Sequence, residues 1–415
     1  MKRVDISLEK ENYRLFEWGA FLPALLISIT GLLSIYSATR GIGGDTIFYK
    51  QAVSFVIGVA VMMITMFLPK KLLESLWIAI FGLSIVSLIL VLIIGDVVYG
   101  TKGWIKLGTL SVQPAEFAKL GVILALAGFL SKKGIYIGNL RDVVISLLIV
   151  LLPFILIWMQ PDHGSASVLL VVLVGVLFWS GFNSFFVFVL ITMPLLILMS
   201  FKGFYFYLAV VSIFSIIIFL FKKRILITLL VLALYASVGL ITPAVYNNLQ
   251  SHQKARIETF INPTADPLGS GYNVLQSVMA VGSGGWTGKG LFQGSQTQLR
   301  YIPMQWTDFI FSVPTEELGF LGGTGLILLY LWLISTTIKI ANETDSRFNS
   351  LACFGIATVF MYHIIINIGM VIGLTPVMGL PLPFMSYGGT SLIINFLFVG
   401  IILNSHRVYI MKRNN

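Results

Sequence analysis

The chain has 415 residues, of which 57% are hydrophobic and 11% charged, with a formal net charge of +10. Its mean hydropathy is +0.94. A soluble domain carries roughly a quarter charged residues, and a chain this apolar cannot fill a core and still cover itself with polar surface. The composition therefore excludes a soluble enzyme and points to a multi-span membrane protein. The basic surplus does not mark a nucleic-acid binder, because Lys and Arg lie in short clusters between apolar runs, as in proteins that encode their membrane orientation. A single cysteine, Cys353, permits no disulfide within the chain.

In chain order, the first apolar run, about 19–38, is too long for a signal-peptide core and fits a spanning helix. Further runs of spanning length follow near 48–68, 74–95, 114–131, 142–159, 165–182, 184–200, 205–221, 224–242, 308–338, 350–372 and 386–409. Run lengths of this kind, without in/out alternation, exclude a barrel. The expected fold class is all-α, a polytopic helical membrane protein with twelve spans. With both termini in the cytoplasm, cytoplasmic segments hold 17 Lys and Arg and outer segments 9, the bias expected of that orientation. One long stretch, about 244–307, then lies outside. It is rich in Gly, Gln, Asn and Ser but keeps recurrent aromatics, among them Phe260, Tyr272, Trp286 and Tyr301, and reads as a folded, functional loop.

Ionisable groups at or inside a span are costly and each needs a reason. Glu116 and Lys119, three apart on one helix, can meet on one face, either as a self-satisfying ion pair or as ligand contacts. Asp162 follows Pro161 and is either a helix N-cap or a site residue. Asp308, Glu316 and Glu317 cluster at the outer end of the tenth run, and at least one of the two adjacent glutamates must point away from lipid. Asp266 lies in NPTADPLGSGYN (262–273), where an Asp before Pro is ordinarily turn chemistry. The glycine run GSGGWTGKG (282–290) fails the P-loop and dinucleotide spacings, but glycines there would let backbone approach a sugar or diphosphate. His163, His252, His363 and His406 are scattered and no zinc motif occurs. A labile Mg²⁺ or Mn²⁺ held by carboxylates and a substrate diphosphate is compatible with the residues.

Five segments carry a family resemblance: WIKLGTLSVQPAEFAKL (104–120), QPDHGSA (160–166), NPTADPLGSGYNVLQSVMAVGSGGWTGKG (262–290), TDFIFSVPTEELGF (307–320) and PLPFMSYGGTS (381–391). In this order they resemble the SEDS proteins of bacterial shape, elongation, division and sporulation. The stretch 367–383 is more similar to the elongation branch than to the division branch. The resemblance implies a peptidoglycan glycosyltransferase that polymerises lipid II outside the cytoplasmic membrane. It also implies a class B penicillin-binding protein as partner, together with other membrane proteins of the elongation complex.

The resemblance assigns the catalytic aspartate to Asp266. It places Trp104, Lys119, Glu316 and Glu317 at family motif positions. Lys102, Lys119 and Arg256 are the outer-side cations suited to a departing diphosphate, and Glu116, Asp162, Gln276, Gly284, Lys289 and Asp308 complete the candidate substrate contacts. The chain departs from the family at PDHGS, where His163 and Ser165 replace the usual Leu and Thr, and in its span count. The family ordinarily has ten spans, so a surplus helical pair is expected within 184–242. A lipid flippase, another outer-face polymer-joining enzyme and a non-catalytic scaffold are the competing readings. The flippase is disfavoured by the absence of an internal repeat and by polar density gathered in one outer loop.

Overall fold

The computed structural model describes residues 15–40, 44–69, 71–98, 100–107, 110–135, 137–221, 224–248, 254, 257–258, 260–262 and 271–414. The expected long helices are α1 (Trp18–Thr39), α2 (Asp45–Met66), α3 (Leu72–Ile94), α4 (Pro114–Leu130), α5 (Leu140–Trp158) and α6 (His163–Trp179). They continue as α7 (Ser184–Lys202), α8 (Phe204–Leu220) and α9 (Ile225–Asn247). The remaining helices are α10 (Tyr272–Ser283), α11 (Ser295–Gln298), α12 (Ser312–Glu317), α13 (Gly319–Glu343), α14 (Arg347–Val371) and α15 (Gly389–Asn414). Among the described residues nine helices are long and apolar enough to cross a membrane. The run expected at 308–338 begins with separate turns and the short α12, so the spanning helix there starts only at Gly319.

The helix-only expectation missed one element. Between α3 and α4 lie three short antiparallel strands, β1 (Asp96–Val98), β2 (Thr101–Leu107) and β3 (Leu110–Val112), in the order β1-β2-β3. Asp96 pairs with Trp104, and Ile105 with Val112. The strands are too short to give a periodic signal, although Val97, Trp104, Ile105 and Val112 have the branched and aromatic character that strands favour.

α4, α14 and α15 form the middle of the bundle. Nearly every α4 side chain is buried, including Glu116 and Lys119. Among the described residues the most extensive helix–helix contact is between α2 and α15, where a Cβ on Gly400 would stand 2.7 Å from the Met62 carbonyl oxygen. Without a large hydrophobic drive between helices in lipid, such small-residue contacts are a main source of helix association. At one end of that pair, Asn404 Nδ2 donates to the Met66 and Leu68 carbonyls at 2.9 and 3.0 Å, satisfying acceptors that the end of α2 leaves open.

The 184–242 region builds a unit of its own. α7, α8 and α9 pack mainly on one another and meet the rest through α6. They share a separate core of Phe185, Val189, Leu196, Tyr207, Ile218, Val231 and Tyr235. Inside it the hydroxyls of Thr192 and Tyr235 are hydrogen-bonded, and the Tyr207 hydroxyl donates to the Tyr235 carbonyl. Each polar group is thus satisfied by the unit itself, as a membrane interior demands.

The opposite end of α2 and α15 belongs to a polar layer made of the sheet, α10–α12 and a non-helical segment, 373–388. Carbonyls of that segment accept from four side chains on three helices: His363 Nδ1 to Pro381 O (2.9 Å), Asn367 Nδ2 to Leu380 O (2.8 Å), Tyr330 Oη to Pro383 O (2.6 Å) and Gln51 Nε2 to Ser386 O (3.1 Å). Residues 284–300 are held onto α12 by Glu316. Its fully buried carboxylate accepts from Lys289 Nζ (2.8 Å), the amides of Gln296 (2.8 Å) and Thr297 (3.0 Å), and the Thr297 hydroxyl (2.8 Å). Burial alone would raise this carboxyl, but those donors outweigh it and hold it below the ordinary 4.5. The stabilisation is complete above the ordinary glutamate range and is lost as pH falls through the lowered folded value.

Glu316→Gln exchanges one accepting oxygen for a donor facing other donors, a cost of about 2 kcal/mol. Hydrogen exchange at the amides of Gln296 and Thr297 is expected to quicken roughly thirtyfold. Unchanged protection there would show that the carboxylate does not hold the loop.

Candidate functional site

Three helices begin together in the polar layer. Gln113 stands before α4, Asp162 before α6, and α15 starts at Gly389. Asp162 is the α6 N-cap: Oδ1 accepts from the Ser165 amide at 2.9 Å, and Oδ2 accepts from Gln113 Nε2 at 3.2 Å. The Gln113 amide reaches Thr390 Oγ1 at 3.4 Å, and that hydroxyl donates to Ser111 O at 3.0 Å. One set of side chains thereby ties α4, α6, α15 and β3 together. Helix N-termini present free N–H groups and the positive end of the helix dipole, so their convergence favours an anion.

Asp308 joins Asp162 there. It lies in the turns before α12, with its backbone carbonyl accepting from Asn367 Nδ2 at 2.9 Å. Burial, and then the negative charge of Asp162, raises its carboxyl from 3.8 to about 6. A carboxyl in that range can exchange a proton near neutral pH. Asp308 Oδ2 also lies 3.7 Å from where a Cβ on Gly379 would stand, at a φ of +68° that favours glycine.

Below this layer runs a buried chain of charge. Lys119 Nζ donates to Glu116 Oε1 at 2.6 Å and lies 3.3 Å from His363 Nε2. His363 Nδ1 faces the Pro381 carbonyl, so Nδ1 carries the ring proton and Nε2 accepts from the ammonium. The Glu116–Lys119 pair is thus a self-satisfying ion pair that also reaches α14. His363 was passed over in the sequence as one of four scattered histidines. Its usable signal was Asn367 four residues on, a second polar residue on the same face of an apolar helix.

Other candidate residues have different surroundings. Lys102 Nζ donates to Leu92 O (2.8 Å) and Ile93 O (3.2 Å), neutralising the end of α3 as a basic residue at a helix C-terminus does. Trp104 is half-buried on β2, opposite Asp96. Gln276 is half-buried on α10, whose Ser277 hydroxyl donates to Val371 O at 2.8 Å. Lys289 and Glu316 hold each other, and Glu317 accepts from the Ser37 hydroxyl of α1. Burial keeps the Glu317 carboxyl raised although Ser37 and the Phe292 amide donate to it.

Two glycines of the 282–290 run are required by the fold itself. A Cβ on Gly284 would stand 2.1 Å from Thr315 O, and one on Gly288 2.0 Å from Glu317 O. Both glycines are needed for the loop to lie on α12. Arg256 and Asp266 lie outside the described residues. Among the described residues no three His, Cys, Asp or Glu side chains gather as a metal-binding group.

Comparisons with known proteins agree with this architecture. The FtsW/RodA/SpoVE family model, described as "Cell cycle protein", matches residues 17–209 and 188–409. The chain is 31% identical to "Peptidoglycan glycosyltransferase RodA" of Treponema pallidum, over 94% of this chain and 97% of that one. It is 35% identical to "Stage V sporulation protein E" of Bacillus subtilis, over 92% and 94%. A solved structure described as "Structural coordination of polymerization and crosslinking by a peptidoglycan synthase complex" superposes with a TM-score of 0.72 at 30% identity, covering 95% of this chain and 98% of the other. With nearly its whole length matched in sequence and fold, the chain belongs to the FtsW, RodA and SpoVE family of cell cycle proteins, the SEDS family.

Proposed function

We propose that this protein is a peptidoglycan glycosyltransferase that polymerises lipid II on the outer face of the cytoplasmic membrane during cell elongation, with both termini in the cytoplasm. The observation that carries the reading is the polar layer itself. Three helix N-termini and two carboxylates meet beside a folded loop, at the bundle end that the charge bias assigns to the outside. The activity printed for the Treponema relative is the chemistry such a layer suits. Elongation rather than division is supported by the RodA-like stretch 367–383. A class B penicillin-binding protein is the proposed partner, since the structural neighbour is described as coordinating polymerisation with crosslinking.

The acceptor's C4 hydroxyl attacks C1 of the donor sugar, and the undecaprenyl diphosphate leaves with its electron pair. Asp266 takes the hydroxyl proton, a contribution on the order of 10²–10⁴ in rate. A single displacement of this kind inverts the anomeric centre without a glycosyl-enzyme. The N-termini of α4, α6 and α15 face the charge that gathers on the diphosphate. Where Mg²⁺ or Mn²⁺ accompanies the substrate, Asp162 and Asp308 are the carboxylates suited to hold it, and the ion would neutralise the leaving diphosphate.

Purified protein incubated with lipid II and its partner should yield glycan strands on gels, whereas Asp266→Asn should fold and yield none. Strands from the pure variant would remove Asp266 as the base. Asp308 sets a second expectation, because its charged form predominates only above about pH 6. The rate should rise with pH through that value. Asp162→Asn should move the limb to lower pH, toward 3.8 but not all the way, because burial is the larger cause and remains. A limb that stays in place would show that Asp308 does not control it.

A further inference from the structure

A cavity of about 150 Å³ lies between the end of α1 and the segment 297–306, lined by Ala38, Thr297, Arg300, Met304, Gln305 and Trp306, among others. It is separate from the Asp162–Asp308 pair but adjoins it along the chain. Trp306 and Thr307, which precede Asp308, are fixed through their carbonyls by the Tyr387 amide (2.9 Å) and the Ser386 hydroxyl (2.7 Å). The cavity opens at the protein surface and has room for about six heavy atoms, the bulk of benzene.

Its polar groups are of two kinds. Arg300 is exposed, and its guanidinium uses one N–H on Arg40 O at 3.3 Å. A guanidinium has five N–H donors in a fork that fits an oxyanion. Gln305 is buried, and both hydrogens of its Nε2 have acceptors, Thr297 Oγ1 at 3.3 Å and Ser312 Oγ at 2.8 Å. Its carbonyl oxygen is what that side chain has left to offer a ligand, and it can only accept. Ala38, Met304 and Trp306 supply an apolar wall between the two.

The backbone is unusual at the same place. Arg300 (φ +59°) and Met304 (φ +51°) are non-glycine residues in the left-handed region, which costs free energy and persists only where surrounding contacts impose it. Here the Arg300 amide is held by Thr297 O at 3.2 Å and the Thr307 amide by Met304 O at 3.1 Å. Thr297 is in turn fixed by Glu316.

We propose that this cavity binds the carboxyl-terminal unit of a short peptide. The carboxylate takes the Arg300 fork, the preceding amide N–H donates to Gln305 Oε1, and a small aliphatic side chain rests on the apolar wall. A choline headgroup would satisfy the arginine through its phosphate but has no N–H or O–H for the glutamine, so the pair of groups favours a peptide terminus over that lipid. If the function proposed above holds, that terminus is the one carried by the disaccharide-peptide substrate or its product. The site would then fix the peptide to one side while the sugars reach the carboxylate pair.

The test is a binding measurement that does not depend on polymerisation. N-acetyl-alanyl-alanine and its C-terminal amide are titrated by saturation-transfer NMR against the full chain in nanodiscs of neutral lipid. Wild type should bind the acid roughly tenfold more tightly than the amide, the margin of a charge-assisted hydrogen bond. Arg300→Gln should bind both at the amide level, with Arg300→Lys intermediate. Ala38→Leu, which fills the cavity and keeps the arginine, should bind neither. Equal binding of acid and amide by wild type, or a preference retained in Arg300→Gln, overturns the proposal. So does displacement of the amide and acid alike by glycerol phosphate. Lipid II polymerisation by wild type, assayed alongside, separates the two ideas: selective binding without polymer leaves the site and removes the enzyme, and polymer without selective binding does the reverse.

Discussion

A non-helical segment lodged inside a helix bundle sets the terms for this fold. In hydrocarbon, unpaired backbone groups cost several kcal/mol each, and irregular backbone survives there only where protein or water satisfies it. Residues 380–386 meet that requirement with side chains drawn from three separate helices: Gln51 on α2, Tyr330 on α13, and His363 and Asn367 on α14, with Ser386 reaching Thr307 O. The segment therefore cannot be placed until those helices are placed, and Asp308 follows, because Asn367 bridges Leu380 O and Asp308 O. The position of a titratable carboxyl is in this way a consequence of backbone satisfaction.

Buried charge is organised by the same economy of partners. Lys119 has a carboxylate on one side and an imidazole on the other, and Glu316 has an ammonium and three further donors. These groups are closed on themselves, and they stiffen the bundle and the loop. The Asp162–Asp308 pair differs. Two like charges share one location, and their mutual repulsion adds to burial in raising Asp308. Of the charged clusters in the polar layer, this one is relieved by adding a cation, a proton or a ligand donor, which is the property a site requires.

Much of this was legible in the sequence because membrane helices announce themselves by length and composition. The apolar runs fall on the long helices from Trp18–Thr39 to Gly389–Asn414, and Asp162 could be named as an N-cap from its place before an apolar run. What escaped was of other kinds. Strands of three to seven residues leave no periodic signature. A histidine's partners lie far away in sequence, as Lys119 does from His363 across 244 positions. The glycines at 284 and 288 looked ready for a ligand, yet their close neighbours are the carbonyls of Thr315 and Glu317, a tertiary approach that no local pattern encodes. The adjacency of Glu316 and Glu317 implied that at least one points away from lipid, but not that Glu316 clamps a loop that precedes it in the chain.

The central claim is that the substrate's sugars occupy the polar layer. A lipid II analogue with a photoreactive group on its donor sugar, crosslinked to the protein in native-like membranes and mapped by peptide sequencing, addresses this directly. Labels are expected on residues 104–113, 160–165, 302–309 and 378–390, reduced by excess unlabelled lipid II. Labels confined to α7–α9 or to the opposite end of α2 and α15, with none in those four segments, would contradict it.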